Sequence, residues 1–399
     1  MDSHSEDLGS ELRSSIVNTD KTATVIAGIP AKNMTLYHRI QFGVGDPAAW
    51  IGWVEGDTHQ SLLILRDIEM DRARSSARVD AVACPADFTP AGGLSGNREE
   101  ATAQALAEAL SRKGFSRVIA DRSLPLVFVE EIRQRNISIE CDRSIGIIDR
   151  RSKDTLEIDA LRTSQKATES AMRFACEMIA HADADAHGNL VHENSPLTSE
   201  GVRSAIDIHL SKLGFSTPQS IVAGGVDGGD CHNLGTGVLR TGEPVIVDIF
   251  PQDVRTRYHG DCTRTVVHGS ISDELQHMHA AVIEAKNAAE TAVKSGVTAE
   301  SVHQAAIDVI RRHGFGVGLT ESDRCAMVHG TGHGIGLEVH EPPLLDAGVS
   351  DLLVAGDALT IEPGLYSKAI GGIRVEDMVI VTHEGCENLN QLPEGLAWA

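Results

Sequence analysis

The run Val245-Ile246-Val247-Asp248 reads as an apolar strand that presents an acid at its end, and thirteen residues on comes Asp261-Cys262-Thr263-Arg264-Thr265. The β-branched alternation of the second run predicts a returning strand, so Asp248 and Asp261 are expected to face each other across a hairpin. Two opposed carboxylates repel unless a cation offsets them. Further along, His329-Gly330-Thr331-Gly332-His333-Gly334-Ile335-Gly336 sets two histidines four apart in a backbone too rich in glycine to hold a helix. This pair is therefore not a helical zinc motif. The glycines let a strand or loop pass close to something bulky, and histidine supplies a neutral nitrogen ligand. His340 adds an imidazole seven residues beyond His333. Glu362, in Thr360-Ile361-Glu362-Pro363-Gly364-Leu365-Tyr366, and Glu376, in Gly372-Ile373-Arg374-Val375-Glu376-Asp377, complete the set. Taken singly, each has a plainer reading: a strand-end acid as a turn residue, a strand glutamate on a solvated sheet face. Only the five together carry weight as donors for divalent cations.

The elements that must position these residues are legible in outline. A chain of 399 residues exceeds the usual single core, so two domains are expected. From about residue 22 to 150, strand-like runs (Ser61-Leu65, Val79-Ala83, Val118-Ala120, Ile137-Glu140) alternate with helical stretches such as Arg98-Lys113, which predicts an α/β domain. The charged, non-periodic segment 149–153 precedes an Asp-x-x-Glu capping pattern from Asp154 to Glu157, and the domain boundary is placed there, giving 1–151 and 152–399. Leu156, Leu161, Ala167, Ala171, Phe174 and Met178 are expected to trace the apolar face of a long helix. A second helix starts near Ser199, carries Val202, Ile206, Leu210 and Leu213, and ends at Gly214. Two more, 272–295 and 299–313, are closed by Gly296 and Gly314. A helix pair followed by strands, twice over, suggests two related α+β halves with strands face to face.

Composition narrows the function classes. Hydrophobic residues at 41% and charged residues at 23% are globular values, excluding a coiled coil or a disordered chain. A formal charge of −22, with no basic stripe, argues against nucleic acid. The opening stretch is polar and acidic and reads as a frayed terminus or an early surface helix, with no secretory signal. No window reaches the roughly 20 apolar residues that span a bilayer, so no membrane partner is expected. Seven scattered cysteines without CxxC spacing suit buried thiols in a reducing compartment, which makes a cytoplasmic location the expectation. Cys231 and Cys262 abut site residues but read as small buried hydrophobes. The polar cluster His181, Asp183, Asp185, His187 and His192 reads as a solvated helix-ending loop.

Over nearly its whole length the chain resembles the pita-bread metallopeptidases of the aminopeptidase P, prolidase and creatinase group. Their pattern is Asp, then Asp before x-Thr-Arg, then His in a GHGxG run, then Glu in EPG, then Glu in RxED; Asp248, Asp261, His333, Glu362 and Glu376 match it in order. The resemblance implies an α+β chain: a C-terminal pita-bread (creatinase/aminopeptidase-like) catalytic domain preceded by an N-terminal α/β creatinase-like domain. It implies two divalent ions, Asp248 chelating one, His333 and Glu362 binding the other, Asp261 and Glu376 bridging both. Carboxylate dominance favours Mn2+ or Co2+, with Zn2+ or Fe2+ as alternatives. The implied activity is an Xaa-Pro exopeptidase of aminopeptidase P or prolidase type, acting on peptides with proline second by attack of a metal-bridging hydroxide. Glu362 is expected to shuttle the proton, and His232, His329 and His340 to donate hydrogen bonds to the oxyanion and substrate carbonyls. Tyr366 is expected to line a proline pocket, and Arg374 either to orient Glu376 or to reach a substrate carboxylate. A homodimer is also implied.

One departure from that family is a hairpin lengthened by about two residues over 252–257. His259, which falls at the shorter spacing, is a rival ligand, though alternation puts it on the face of Asp261 in a supporting role. Relatives that hydrolyse small non-peptide amides keep a metal-dependent amidohydrolase open as an alternative. A non-catalytic peptide-binding module is a minor one, since such a protein should lack ligands and this chain keeps five. Methionine aminopeptidase shares the metal pattern, but the preceding α/β domain fits the proline-specific group better.

Overall fold

The computed structural model describes residues 21–321 and 324–398. The acidic opening stretch, Lys21 apart, lies outside them. The chain divides into two compact units between Gly146 and Ile147.

In the first unit six strands, β1 (Thr22–Gly28), β2 (Ala48–Glu55), β3 (Thr58–Ile64), β4 (Ala81–Ala83), β5 (Arg117–Ala120) and β6 (Ser138–Cys141), form one sheet in the order β4-β3-β2-β1-β5-β6. β1 runs parallel to β5 and antiparallel to β2. Alternation along β1 divides its side chains between two cores. Ala23, Val25 and Ala27 join Leu106 and Leu110 of the helix Arg98–Arg112 on one side. Ile26 joins Leu36 and Ile40 of an earlier helix (Met34–Ile40) on the other. The Arg98–Arg112 helix starts where Asn97 accepts the backbone N–H groups of Glu99 and Glu100, as an N-cap should.

The second unit opens with the short helix Ile148–Arg151, which the sequence reading placed before the boundary. It goes with this unit because Arg150 pairs with Glu338 and Glu341, and Arg151 with Asp357. A 26-residue helix, Thr155–Ala180, follows the expected capping box of Asp154 and Glu157. Its buried stripe differs from the apolar reading. Leu156 and Phe174 are 76% and 37% exposed, whereas the polar Ser164, Gln165 and Thr168 are buried. Each of the three bonds backbone rather than water: Ser164 to the Tyr258 carbonyl, Gln165 to that of Asp261, Thr168 to that of Ser164. This helix and Ser199–Lys212 pack on a three-stranded sheet of β7 (Ile221–Gly224), β8 (Pro244–Ile249) and β9 (Cys262–Val267), β8 in the middle. Gly214, with φ +86°, ends the second of these helices as expected, although Leu213 is exposed.

The helices Asp273–Ala292 and Ala299–Arg312 share another core with the strands that follow. Those strands are β10 (Gly332–Gly334), β11 (Glu341–Leu345), β12 (Ala358–Ile361), β13 (Gly364–Ser367), β14 (Gly371–Arg374), β15 (Asp377–Val381) and β16 (Cys386–Asn388). One sheet runs β11-β10-β12-β15-β16; β13 and β14 pair in another. The two helix-and-strand sets meet where Thr265 and Arg374 exchange hydrogen bonds and the Glu376 N–H donates to the Thr263 carbonyl. Among the described residues no helix is long and apolar enough to cross a membrane.

Candidate metal centre

A cavity of about 470 Å³ in the second unit is lined by Asp248, Asp261, His333, Glu362 and Glu376 together with His232, His329, His340 and Arg374. Asp261, His333 and Glu376 offer ligand atoms all within 4.8 Å of one another, and all three are buried. His333 Nε2 lies 3.4 Å from Glu362 Oε1 and 3.9 Å from Asp261 Oδ2. Its Nδ1 stands 3.0 Å from the Gly334 carbonyl, which fixes the proton there and leaves the Nε2 lone pair for a cation.

Neighbouring strands supply the scaffold. Asp248 is paired with Thr263, not with Asp261, so the two acids sit offset across the hairpin instead of directly opposed. Asp261 precedes β9, with its backbone N–H donated to Gln165 Oε1 at 2.9 Å and its carbonyl accepting from Gln165 Nε2 at 2.7 Å. Thr263 Oγ1 donates to Glu376 Oε2 at 2.7 Å. The Glu376 carbonyl is held by Arg264 Nη1 at 2.6 Å, and Arg264 is itself bound to Asp377. Glu362 follows β12 and donates its N–H to the Thr331 carbonyl.

The glycine run works by close approach. A Cβ at Gly332 would come within 1.9 Å of the Thr360 carbonyl oxygen, a backbone atom that cannot swing aside. Glycine lets β10 close on β12, where the His333 N–H reaches Thr360 Oγ1 at 3.1 Å. Gly332→Ala is expected to cost about 3 kcal/mol or more, the upper end of overpacking penalties, and to displace His333. Chemical denaturation and metal titration of the variant check both effects.

Burial, and then Glu376 and Asp248, push the Asp261 carboxyl well above the usual range. Burial, and then Glu362 and Asp248, do the same to Glu376, and burial raises Glu362. One oxygen of Asp248, Oδ1, is buried with no hydrogen-bond partner, while Arg374 Nη2 takes the other at 2.6 Å. Carboxylates massed in this way are what cations relieve, so the donor set fits divalent ions.

Three sequence expectations are altered. Tyr366 does not line the cavity: it is 3% exposed, and its hydroxyl accepts from Arg374 Nη1 at 2.9 Å and bonds His329 Nε2 at 2.7 Å. Arg374 lines the cavity, but its guanidinium is hydrogen-bonded to Asp248, Tyr366, Thr263 and the Cys231 carbonyl, so it orients Asp248 and makes no hydrogen bond to Glu376. His329 lines the cavity, but its Nδ1 sits 2.7 Å from the Gly330 carbonyl and its Nε2 faces the Tyr366 hydroxyl, so both nitrogens are engaged. With Arg374 donating to that hydroxyl, the Tyr366 proton points to His329. His340 is exposed, its ring centroid 4.3 Å from that of His333, and His232 is exposed on the opposite loop. His259 is buried, donates its N–H to the Gly336 carbonyl, and does not line the cavity.

Residues 159–383, more than half of the chain, match metallopeptidase family M24. The chain belongs to this family. A probable dipeptidase, PepE, of Mycobacterium tuberculosis is 36% identical over 247 residues, 61% of this chain and 60% of that protein, so the match spans less than two thirds of that relative. An Xaa-Pro dipeptidase of Pyrococcus horikoshii is 26% identical over 284 residues, 70% of this chain and 74% of that protein. The solved structure of an Xaa-Pro dipeptidase from Bacillus anthracis has the same fold, with a TM-score of 0.77 at 23% identity, covering 94% of each chain. The fold is thus the α+β, pita-bread type anticipated from the motifs.

Two features of this M24 chain escaped the sequence reading. Gln165 brackets the backbone of Asp261 from a helix nearly 100 residues earlier, and nothing local marks it. The cavity also has an apolar wall, Pro218, Ile221, Phe250, Val339 and Leu344, drawn from loops and strand ends that carry no motif. By contrast, Asp185 in the polar cluster of residues 181–192 accepts the backbone N–H groups of His187 and Asn189, an ordinary turn in line with the loop reading. All seven cysteines are free thiols; burial raises those of Cys231 and Cys262.

Proposed function

We propose that this chain is a dinuclear metal-dependent exopeptidase that hydrolyses Xaa-Pro bonds, of prolidase or aminopeptidase P type. The observation that carries the reading is the convergence of Asp248, Asp261, His333, Glu362 and Glu376 on one cavity, with three of them in ligand-atom contact range. Membership of family M24 and the Pyrococcus relative named Xaa-Pro dipeptidase support it. In this reading Asp248 holds one ion, His333 and Glu362 the other, and Asp261 and Glu376 both. When bound, two divalent ions acidify a shared water and polarise a carbonyl. Mn2+ or Co2+ suits the carboxylate-rich set.

The chain's own residues do the rest. Glu362, at the cavity wall beside His333, receives the proton of the attacking water and passes it to the departing proline nitrogen. His340 and His232, exposed toward the same space, donate to the substrate carbonyl and to the oxyanion. Tyr366 and Arg374 hold His329 and Asp248 in place. An Xaa-Pro bond is a tertiary amide without N–H, so a peptidase gripping that donor fails on it. A site that grips carbonyls with imidazoles does not need it.

Cleavage of an Xaa-Pro dipeptide and an Xaa-Pro-Yaa tripeptide, after chelation and manganese restoration, tests the reading. Metal-dependent cleavage of the dipeptide alone assigns a dipeptidase, and of the tripeptide an aminopeptidase. Two ions bound per chain with neither peptide cut would sink the proposal and favour a small non-peptide amide as substrate.

A stability measurement checks the metal set separately. Asp261, Glu376 and Glu362 have folded-state values above their unfolded ones, so in stripped protein they contribute stability at acid pH that is lost as pH rises past the ordinary range near about 4. Bound cations remove that loss. The melting-temperature gap between loaded and stripped protein is expected to widen from pH 5 to pH 8, by roughly 5–10 °C if loading adds about 3 kcal/mol. A gap independent of pH would contradict the placement of the ions among these carboxyls.

A further inference from the structure

The same cavity wall carries a fifth carboxylate that the metal reading does not use. Asp346 lies one residue past β11, the strand whose Leu344 pairs with His333 and whose Leu345 pairs with Gly332. Alternation sends Leu345 into the core and leaves Leu344 and Asp346 on the cavity side, where both line the wall. The Asp346 side chain lies against Gly330, next to His329, since a Cβ on that glycine would stand 3.3 Å from Asp346 Cγ.

Nothing on that wall neutralises it. Among the described residues lining the cavity the one guanidinium or ammonium group is Arg374, which is committed to Asp248 and Tyr366. Asp346 Oδ1 accepts the Ala347 N–H at 2.7 Å, and its nearest basic neighbour, His303 Nε2, is 3.8 Å away. Burial lowers His303, whose Nδ1 bonds Thr331 Oγ1, so it is a neutral imidazole near pH 7. Asp346 is about half exposed and has no arginine or lysine partner among the described residues, and the apolar side chains of Leu344, on its own face of β11, and of Val339 line the same cavity. A long side chain with an apolar stem and a cationic tip complements that combination.

Resting on the peptidase reading above, we propose that Asp346 is a specificity-determining residue that selects peptide substrates carrying a lysine or arginine side chain.

The test compares kcat/KM of manganese-loaded protein on Lys-Pro-Ala, norleucine-Pro-Ala, Ala-Pro-Lys and Ala-Pro-norleucine, norleucine being lysine without its ammonium. At one of the two positions the lysine peptide is expected to be favoured by roughly fivefold, the scale of a partly exposed ion pair. That ratio should fall to about one in Asp346→Asn and invert in Asp346→Lys, and the position that responds tells which substrate residue is read. Ratios unchanged by Asp346→Asn at both positions overturn the proposal. So does an equal loss on all four peptides, which would assign Asp346 to the amino terminus they share. If the unmodified protein cleaves dipeptides alone, Lys-Pro and norleucine-Pro replace the four and the same ratio is read; if it cleaves neither dipeptides nor tripeptides, the peptidase reading itself falls and this one with it; cleavage with flat ratios removes only the role of Asp346.

Discussion

Asp261→Asn is expected to lower kcat/KM on an Xaa-Pro peptide by at least about a thousandfold, equivalent to roughly 4 kcal/mol of transition-state stabilisation, while making the metal-stripped protein more stable. The two effects have opposite signs for one reason. Asp261 is buried among Glu376, Asp248 and Glu362, and burial followed by those charges pushes its carboxyl up. Without cations the carboxylate is a liability, and a neutral amide of the same shape removes it. With cations it is a donor whose oxygen lies within 4.8 Å of the ligand atoms of both His333 and Glu376, and an amide oxygen binds far more weakly than a carboxylate. Thermal melts of stripped protein, metal stoichiometry and steady-state rates separate the outcomes. A variant that loses activity yet keeps two tightly bound ions would place the ions elsewhere. A stripped variant less stable than stripped parent would mean Asp261 is held by bonds that the site does not reveal.

Asp377→Ala is expected to destabilise the protein by about 3–5 kcal/mol, the usual loss when one partner of a buried ion pair is removed. Asp377 is 2% exposed and accepts from Arg264 Nη2 at 2.8 Å, from Lys286, and from Asn388 Nδ2 at 2.9 Å. Lys286 is as deeply buried and retains Glu394 Oε1 at 2.6 Å, an acid a third exposed. Arg264 keeps only carbonyl partners once Asp377 is gone. Because Arg264 also grips the Glu376 carbonyl, metal affinity should fall with stability. Burial alone would raise the Asp377 carboxyl, but Arg264 and then Lys286 bring it below its ordinary value. Its contribution is therefore present above the unfolded carboxylate value near about 4 and lost as pH falls through the lower folded one. The gap between parent and variant in urea unfolding should be full at pH 7 and shrink only in strong acid. A loss below about 1 kcal/mol at pH 7 would show that Lys286 and Arg264 find other partners.

The five candidate ligands could be read from the chain because metal chemistry restricts donor types and because each donor ends a short apolar run or sits in a glycine run. Helix ends were legible for a similar reason: the Asp154–Glu157 box and Gly214 act on neighbours within a few residues. Side-chain direction at longer range was not legible. Tyr366 and Arg374 lie in the expected motifs, yet their targets, His329 and Asp248, come from strands and loops 37 and 126 residues away. Asp248 faces Thr263 because the pairing that begins at Pro244 and Val267 sets the register, and spacing along the chain does not contain it. Leu156 and Phe174 satisfy a helical period but face outward, while Ser164, Gln165 and Thr168 turn inward to bonds that only the packed backbone of 258–261 offers. Local sequence determined which atoms can bind metal and where elements begin and end. Tertiary structure decided which polar groups are spent holding others and which, like Asp346, are left facing the cavity, because a hydrogen-bond partner is a position in space, set by every strand packed around it.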